Sequence, residues 1–156
     1  MPFYETHGVS TKSLISLAGV DATEGIRLVS TPLIAPGELP DGDKQKAVSL
    51  EFKAEFEKTF GAEANYFGGI AYDTILVAAS ALKRAGSTDK AKLRDTIEQT
   101  DDVIGTAGQY RMSAADHSGL SVEGTAHVLD QERRVEANPL MRKVRGSTLE
   151  AGPPMP

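Results

Sequence analysis

Cysteine is absent from this chain of 156 residues, and long apolar runs are absent as well. The lack of cysteine excludes a disulfide framework and any thiolate metal site. No apolar run approaches the ~18 residues that a membrane-spanning helix requires. Basic residues are scattered and outnumbered, with 17 Lys and Arg against 22 Asp and Glu. The resulting net charge of −5 argues against a surface that binds nucleic acid or an anionic membrane.

Motifs for metal binding and catalysis are also scarce. The three histidines, His7, His117 and His127, lack the spacing of a metal site. His117 lies in a DHSG segment. Asp116 and Gly119 predict a turn there, in which the aspartate side chain bonds the backbone of the turn itself. The sequence contains no GxSxG, GxGxxG or GxxxxGKS/T motif. We therefore expect a protein that is not an enzyme and that uses no cofactor or metal.

The composition is typical of a globular protein, with 40% hydrophobic and 25% charged residues. The length suits one domain with a single core. Val48, Phe52, Phe56 and Phe60 recur at every fourth position and predict one face of a helix. The predicted elements are helices over residues 10–19, 44–60, 70–85 and 89–99, strands over residues 24–31, 109–112 and 126–129, a loop over residues 33–43, and a disordered tail over residues 146–156. This order favours the α/β class.

Two segments at the centre of the chain resemble a known family. Residues 68–87 read GGIAYDTILVAASALKRAGS, and residues 105–120 read GTAGQYRMSAADHSGL. Their order and spacing resemble the C-terminal portion of type I periplasmic substrate-binding proteins of branched-chain amino acid type ABC transporters. The resemblance covers about residues 3–130 and only the last part of the family's chain. It implies an incomplete α/β fold of the periplasmic-binding-protein type I kind over residues 1–130, followed by an extension and flexible tail over residues 131–156.

The resemblance also carries an expectation about function. It implies a periplasmic solute-binding component of an ABC transporter, or a fragment of one, that binds a small molecule between two lobes and presents it to a membrane permease. The N-terminal segment MPFYETHGVS does not look like a secretory signal. An alternative is a ligand-sensing or interaction module of a regulator with the same fold. Because part of both sheets would be missing, a fragment of a longer protein or a domain-swapped homo-oligomer is expected.

One implied ligand-binding segment is Thr6, His7 and Gly8, between the first strand and the first helix. Where His7 lies, amino-acid-binding members of the family resemble one another in carrying an acidic residue that holds the ligand ammonium. An imidazole lacks that full negative charge but can donate a hydrogen bond. The resemblance therefore implies a carboxylate, an aromatic acid or an amide in preference to an aliphatic amino acid. The alternative is that His7 only caps its loop.

A second implied ligand-binding segment opens the YDT helix and includes Phe67, Gly69 and Tyr72. Phe67 lies where the family often packs an aromatic ring against the apolar part of the ligand. Tyr72 and Asp73 are predicted to present polar groups near the start of the helix. The alternative for Tyr72 is a place in the core, because it shares a helical face with other apolar residues. Gly68 and Gly69 are expected to allow a close backbone approach or a turn into the helix.

Overall fold

The computed structural model describes residues 3–9, 12–120, 127–129 and 135–137. Five α-helices occur in these ranges: α1 (Lys12–Ala18), α2 (Val20–Thr23), α3 (Lys44–Phe60), α4 (Tyr66–Ala85) and α5 (Lys90–Ile97). The strands in the same ranges are β1 (Phe3–Glu5), β2 (Ile26–Ser30), β3 (Val103–Ile104), β4 (Gln109–Tyr110), β5 (His127–Leu129) and β6 (Val135–Ala137). Short 3-10 helices cover His7–Val9, Pro32–Ile34 and Pro36–Glu38. The mixture confirms the predicted α/β class.

The larger sheet has the strand order β1-β2-β5-β6. β1 and β2 are parallel, with Phe3 opposite Ile26. A parallel pair needs a crossover connection, which α1 and α2 supply. β5 joins β2 antiparallel, and β6 joins β5 antiparallel. Strands β3 and β4 form a separate antiparallel hairpin in which Val103 is opposite Tyr110.

Helix α3 occupies the predicted residues because both of its ends are set locally. The Asp43 side chain accepts a hydrogen bond from the Gln45 backbone N–H and caps the N-terminus. Gly61, at φ 62°, ends the helix in the left-handed conformation. The prediction of residues 44–60 is confirmed.

Helix α4 begins at Tyr66, four residues before the predicted start at Ile70. Asn65 is its N-cap, and the Asn65 side chain accepts a hydrogen bond from the Gly68 backbone N–H at 3.1 Å. Gly68 and Gly69 therefore lie inside the helix, and the expected turn before the helix is wrong. The cap stabilises a first turn that the two glycines weaken by about 1 kcal/mol each. The predicted end is confirmed, with Gly86 left-handed after Ala85.

Other predicted boundaries differ by a few residues. The N-cap of α5 is Asp89, which accepts a hydrogen bond from the Lys92 N–H, so the helix begins one residue after the predicted start. The predicted first helix is α1 followed by the unpredicted α2, and the predicted loop over residues 33–43 contains 3-10 turns. Strands β3 and β6 were not predicted, and β6 lies within the expected extension. The tail over residues 146–156 lies outside the described residues.

The core lies where α3, α4 and the Pro32–Ile34 turn meet. Leu33, Phe52 and Ala64 form its buried cluster, and Phe56 and Tyr72 pack against it. Phe52 and Phe56 of the predicted α3 stripe are therefore covered within this chain, whereas Phe60 is 67% exposed. None of the helices in the described ranges is long and apolar enough to cross a membrane.

Candidate functional site

Three aromatic side chains meet where the loop after β1 approaches the first turn of α4. The His7 and Tyr66 rings lie 4.7 Å apart between centroids, at 34°. The Tyr66 and Phe67 rings lie 5.5 Å apart and nearly perpendicular, at 83°. We name His7, Tyr66 and Phe67 the ring cluster. The structure thus brings together residues from the two segments that the sequence predicted to bind ligand.

The ring cluster faces solvent. The Phe67 side chain is 58% exposed, His7 is exposed, and Tyr66 is half-buried. Thr6 and Gly8 flank His7 and are exposed as well. A large exposed apolar ring is costly in isolation, and such rings often mark a binding surface. Four of the six predicted ligand contacts, Thr6, His7, Gly8 and Phe67, therefore lie on one accessible surface.

The loop that carries His7 is ordered by its own backbone. The Val9 N–H donates a hydrogen bond to the Thr6 carbonyl at 3.3 Å, which closes the turn. That bond joins two backbone groups and does not involve the imidazole. A Cβ added at Gly8 would lie 3.7 Å from the Thr6 Oγ1, an ordinary contact distance.

The other two predicted contacts, Gly69 and Tyr72, pack against the core of the protein, where Tyr72 is half-buried. Gly69 is buried, and a Cβ added there would lie 2.6 Å from Leu33 Cδ2 and 2.7 Å from Thr106 Oγ1. The close approach predicted for this glycine is thus an approach to other parts of the chain. The Tyr72 ring packs 4.8 Å from the Phe52 ring, and burial raises the pKa of its hydroxyl. The role that the structure shows for both residues is core packing.

Asp73 is fully buried and joins α4 to the hairpin of β3 and β4. Its carboxylate accepts hydrogen bonds from the Thr106 N–H at 2.7 Å, the Ala107 N–H at 2.8 Å and the Tyr110 hydroxyl at 3.0 Å. A Cβ added at Gly105 would lie 2.5 Å from the Asp73 Cγ, so the turn wraps tightly around the carboxylate. The expectation that Asp73 presents a polar group at the helix start is wrong, because its side chain points inward.

The sequence held a signal for this buried carboxylate. The buried positions of α4 are Gly69, Asp73, Val77, Ala81 and Ala85, at every fourth residue. A lone acidic residue on such a face must be paired when it is buried, and backbone N–H groups are suitable partners. The GTAGQY segment supplies those partners and explains one of the two motifs that carry the family resemblance.

Tyr110 is the side-chain donor to the buried Asp73. Burial raises the pKa of the Tyr110 hydroxyl above its usual range, and the charge of Asp73 and the hydrogen bond to it add to that rise. Sequence reasoning missed Tyr66 as a member of the ring cluster, because residues 66–69 were predicted to lie before α4.

The DHSG turn is a separate feature that lies beside α5. Asp116 Oδ1 accepts hydrogen bonds from the Ser118 N–H at 3.0 Å and the Ser118 hydroxyl at 2.7 Å, which confirms the predicted turn. The exposed His117 Nε2 lies 3.2 Å from Glu98 Oε1. A cavity of about 370 Å³ lies beside this pair, and its lining residues are Lys90, Leu93, Arg94, Ile97, Glu98, Met112 and His117. None of the predicted ligand contacts lines this cavity.

Metal chemistry finds no support in the part of the chain that the structure describes. No group of three or more His, Asp or Glu side chains there is arranged to hold an ion. The ring cluster can instead offer ring faces, ring edges and an imidazole that donates or accepts a hydrogen bond. Such groups suit the recognition of a small organic molecule.

Comparison with known proteins identifies the fold. The family model described as periplasmic binding protein matches residues 1–122. No match was found among curated protein sequences. An extracellular ligand-binding receptor from Rhodopseudomonas palustris HaA2 is similar in structure, with a TM-score of 0.72 and 25% sequence identity over 83% of this chain.

Two further binding proteins share the fold at lower identity. The branched-chain amino acid transporter substrate-binding protein LivJ from Streptococcus pneumoniae, solved with isoleucine, has a TM-score of 0.65 and 22% identity over 87% of this chain. The leucine-binding protein LivK from Thermotoga maritima MSB8 has a TM-score of 0.58 and 21% identity over 83% of this chain.

Each of the three matches covers only part of the solved structure. The chain covers 38% of the Rhodopseudomonas palustris receptor, 36% of LivJ and 37% of LivK. It thus spans well under half the length of these structures while most of its own length is matched. The chain belongs to the periplasmic binding protein family, and its fold is part of the type I fold of that family.

Proposed function

We propose that this chain is the C-terminal part of a periplasmic solute-binding component of an ABC transporter, which binds a small ligand and presents it to a membrane permease. Family membership supports the proposal, as do similar structures whose names describe transporter binding proteins. Residues 1–130 would form the family part and residues 131–156 an extension. The role is one of binding, with no chemical conversion of the ligand.

The observation that carries the proposal is the exposed ring cluster. Two segments far apart in the sequence bring His7, Tyr66 and Phe67 into contact on an accessible surface. The buried Phe52 behaves differently, since its ring lies in the core and packs against the half-buried Tyr72. A solvent-facing cluster at a helix start suits one wall of a ligand cleft.

The chemistry of this wall favours a carboxylate or an amide as the ligand. The first turn of α4 offers backbone N–H groups and the positive end of a helix of 20 residues. His7 and Thr6 supply polar groups that donate hydrogen bonds. Phe67 supplies an apolar face for the rest of the ligand. We propose a small polar or aromatic carboxylate or amide, with amino acids as weaker ligands because His7 lacks the charge that an ammonium group needs.

A thermal-unfolding screen tests this function. The probes are benzoate, benzamide, leucine and isoleucine, each compared with buffer, because a ligand that binds only the folded state raises the unfolding midpoint. We expect benzoate or benzamide to raise the midpoint of the wild-type chain more than leucine does. His7→Glu should reverse that order, because a carboxylate attracts the ligand ammonium.

The matched control is Gln99→Glu, which adds one negative charge at an exposed position after α5. It should leave the order of ligands as in the wild type. A wild-type chain whose midpoint responds to none of the four probes contradicts the proposal for this surface. A response that His7→Glu leaves unaltered contradicts the assignment of His7.

A further inference from the structure

The cavity of about 370 Å³ beside α5 shares no lining residue with the ring cluster. We name it the α5 cavity. Most of its inner surface is apolar, and Leu93 and Ile97, one turn apart on α5, form part of one wall. Met112, which follows β4, contributes a further apolar side chain, and all three residues are half-buried. A hollow of this size and lining can hold a small organic molecule.

Backbone hydrogen bonds hold the wall that carries Met112. The Met112 N–H donates to the Thr100 carbonyl at 2.6 Å, and the Arg111 N–H donates to the Gly119 carbonyl at 2.7 Å. A Cβ added at Gly119 would lie 2.8 Å from the Met112 Cε, so the methionine side chain packs directly on this glycine. Because the wall is already ordered, little conformational entropy is lost when a ligand binds against it.

The charged side chains that line the α5 cavity do not balance. Lys90 and Arg94 supply two positive charges, and Glu98 supplies one negative charge. The Glu98 carboxylate already has a partner, since its Oε1 lies 3.2 Å from the His117 Nε2. Arg94 is bonded to Asp95, which does not line the cavity. Lys90 has no hydrogen-bond or ion-pair partner among the residues that the structure describes, so its ammonium group is available to an anion.

The position of Lys90 separates this charge from the apolar surface. Lys90 is the first residue of α5 and Ile97 is the last, so the two lie about 10 Å apart along the helix axis. Leu93 lies between them on the same face of the helix. The neighbouring Asp89 carboxylate is engaged at the helix cap, where it accepts a hydrogen bond from the Lys92 N–H. A ligand that matches this surface carries an anionic group at one end and an apolar chain behind it.

We propose that the α5 cavity binds a small amphipathic anion, a linear alkyl carboxylate about 10 Å long such as octanoate. Its carboxylate pairs with Lys90, and its alkyl chain lies along Leu93 and Ile97. Met112 covers the chain from the opposite wall. This site is separate from the ring cluster, and it does not depend on the proposed function.

Methyl signals of methionine in nuclear magnetic resonance test the proposal. The chain contains four methionines, and the Met112→Leu variant identifies the Met112 signal by its loss. In the full chain with ¹³C-labelled methionine methyl groups, octanoate should shift the Met112 signal to saturation. Butyrate, with the same carboxylate and a shorter chain, should bind at least about tenfold more weakly, because it removes less apolar surface from water. Octylamine, which carries the opposite charge, should also bind more weakly than octanoate.

Lys90→Glu and Lys92→Glu are matched variants, because both reverse a charge on α5 and only Lys90 lines the cavity. A glutamate in the first turn of a helix is favourable, so both variants should fold. Lys90→Glu should weaken octanoate by about three- to tenfold, since it replaces an attraction by a repulsion. Lys92→Glu should leave octanoate within about twofold of the wild type. His7→Glu, at the ring cluster, should do the same.

The absence of a saturable shift of the Met112 signal overturns the proposal, as does octylamine that binds as tightly as octanoate. Equal losses in Lys90→Glu and Lys92→Glu overturn it as well. Loss of the Met112 shift in His7→Glu would mean that octanoate binds at the ring cluster, which overturns this site and leaves the proposed function standing. Octanoate binding at Met112 by a chain that binds neither benzoate, benzamide, leucine nor isoleucine supports this site and contradicts the proposed function.

Discussion

The hydroxyl of Tyr110 donates a hydrogen bond of 3.0 Å to the buried carboxylate of Asp73, 37 residues earlier in the chain. Two backbone N–H groups of the turn between β3 and β4 donate to the same carboxylate. The Asp73 side chain therefore joins helix α4 to the hairpin. We name the three hydrogen bonds to the Asp73 carboxylate the clasp. Because α4 also carries Tyr66 and Phe67, the clasp fixes the base of the proposed binding surface.

Replacing Asp73 by Ala should destabilise the protein severely. Two backbone N–H groups and the Tyr110 hydroxyl would lose their acceptor in the interior, and each unsatisfied buried group costs about 1–3 kcal/mol. We expect the free energy of unfolding in urea to fall by about 3 kcal/mol or more. The exposed Asp102→Ala is the control and should stay within about 0.5 kcal/mol of wild type. An Asp73→Ala variant as stable as the control would contradict the clasp.

Gly105→Ala should damage the same clasp from the other side. The added Cβ would lie 2.5 Å from the Asp73 Cγ, and the carboxylate cannot move away because its hydrogen bonds hold it. We expect a loss of about 2–3 kcal/mol in the free energy of unfolding, as in overpacked cores. Gly42→Ala is the control, since a Cβ there meets no atom within 4 Å. In the Asp73→Ala background the cost of Gly105→Ala should shrink, and a fully additive double variant would refute the contact.

Stability should decline at high pH through Tyr110. Its folded pKa is raised by burial first and by Asp73 next, above the ordinary value of about 10 that it regains on unfolding. Below pH 10 the hydroxyl is protonated in both states, and its contribution to stability is complete. Above pH 10 only the unfolded state releases the proton, so the free energy of unfolding falls by up to about 1.4 kcal/mol per pH unit from this group.

Urea denaturation at several values above pH 10 measures this decline. The Tyr110→Phe variant has no hydroxyl to ionise, so its free energy of unfolding should fall less steeply than that of the wild type. The difference between the two proteins at pH 7 reports the lost hydrogen bond, and only the slope reports ionisation. Identical slopes would rule out the raised pKa.

The outer face of α4 should promote self-association, as proposed for an incomplete fold. Ile75 is 67% exposed and Leu82 is 39% exposed, and the exposed Ala71 and Ala79 complete the stripe. Ile75→Gln should lower the mass-averaged size in light scattering at high protein concentration, because it removes the most exposed large apolar side chain of the stripe. Leu50→Gln, at a 44% exposed site on α3, is the control with a smaller expected effect. A wild-type chain that remains a monodisperse monomer would exclude this association.

Sequence reasoning succeeded where structure is determined locally. Asp43 and Gly61 fix the two ends of α3 within a few residues of the helix itself, so the pattern alone placed the helix correctly. Gly86 did the same for the end of α4. The Asp116 turn was predictable for the same reason, because the side chain bonds its own neighbours.

The failures concern contacts between distant segments. Glycine is unfavourable inside a helix, so Gly69 favoured a position outside α4. The folded chain requires glycine there because Leu33 and Thr106 leave no room for a larger residue. The ring partner of Tyr66 is His7, which lies in the turn after β1, far from α4 in the sequence. No local pattern joins the two residues. His7 and Phe67 were identified singly through the resemblance, whereas the residue between them needed the folded chain.

The dependence of Asp73 and the turn at residues 105–107 on each other has a consequence for the evolution of the sequence. A carboxylate at position 73 is useful only with a tight turn at positions 105–107, and that turn has a purpose only while the carboxylate is present. Neither position can drift alone without loss of stability. Among natural relatives, substitutions at position 73 should therefore occur together with changes at positions 105 and 110, as a correlated set that a sequence comparison can detect.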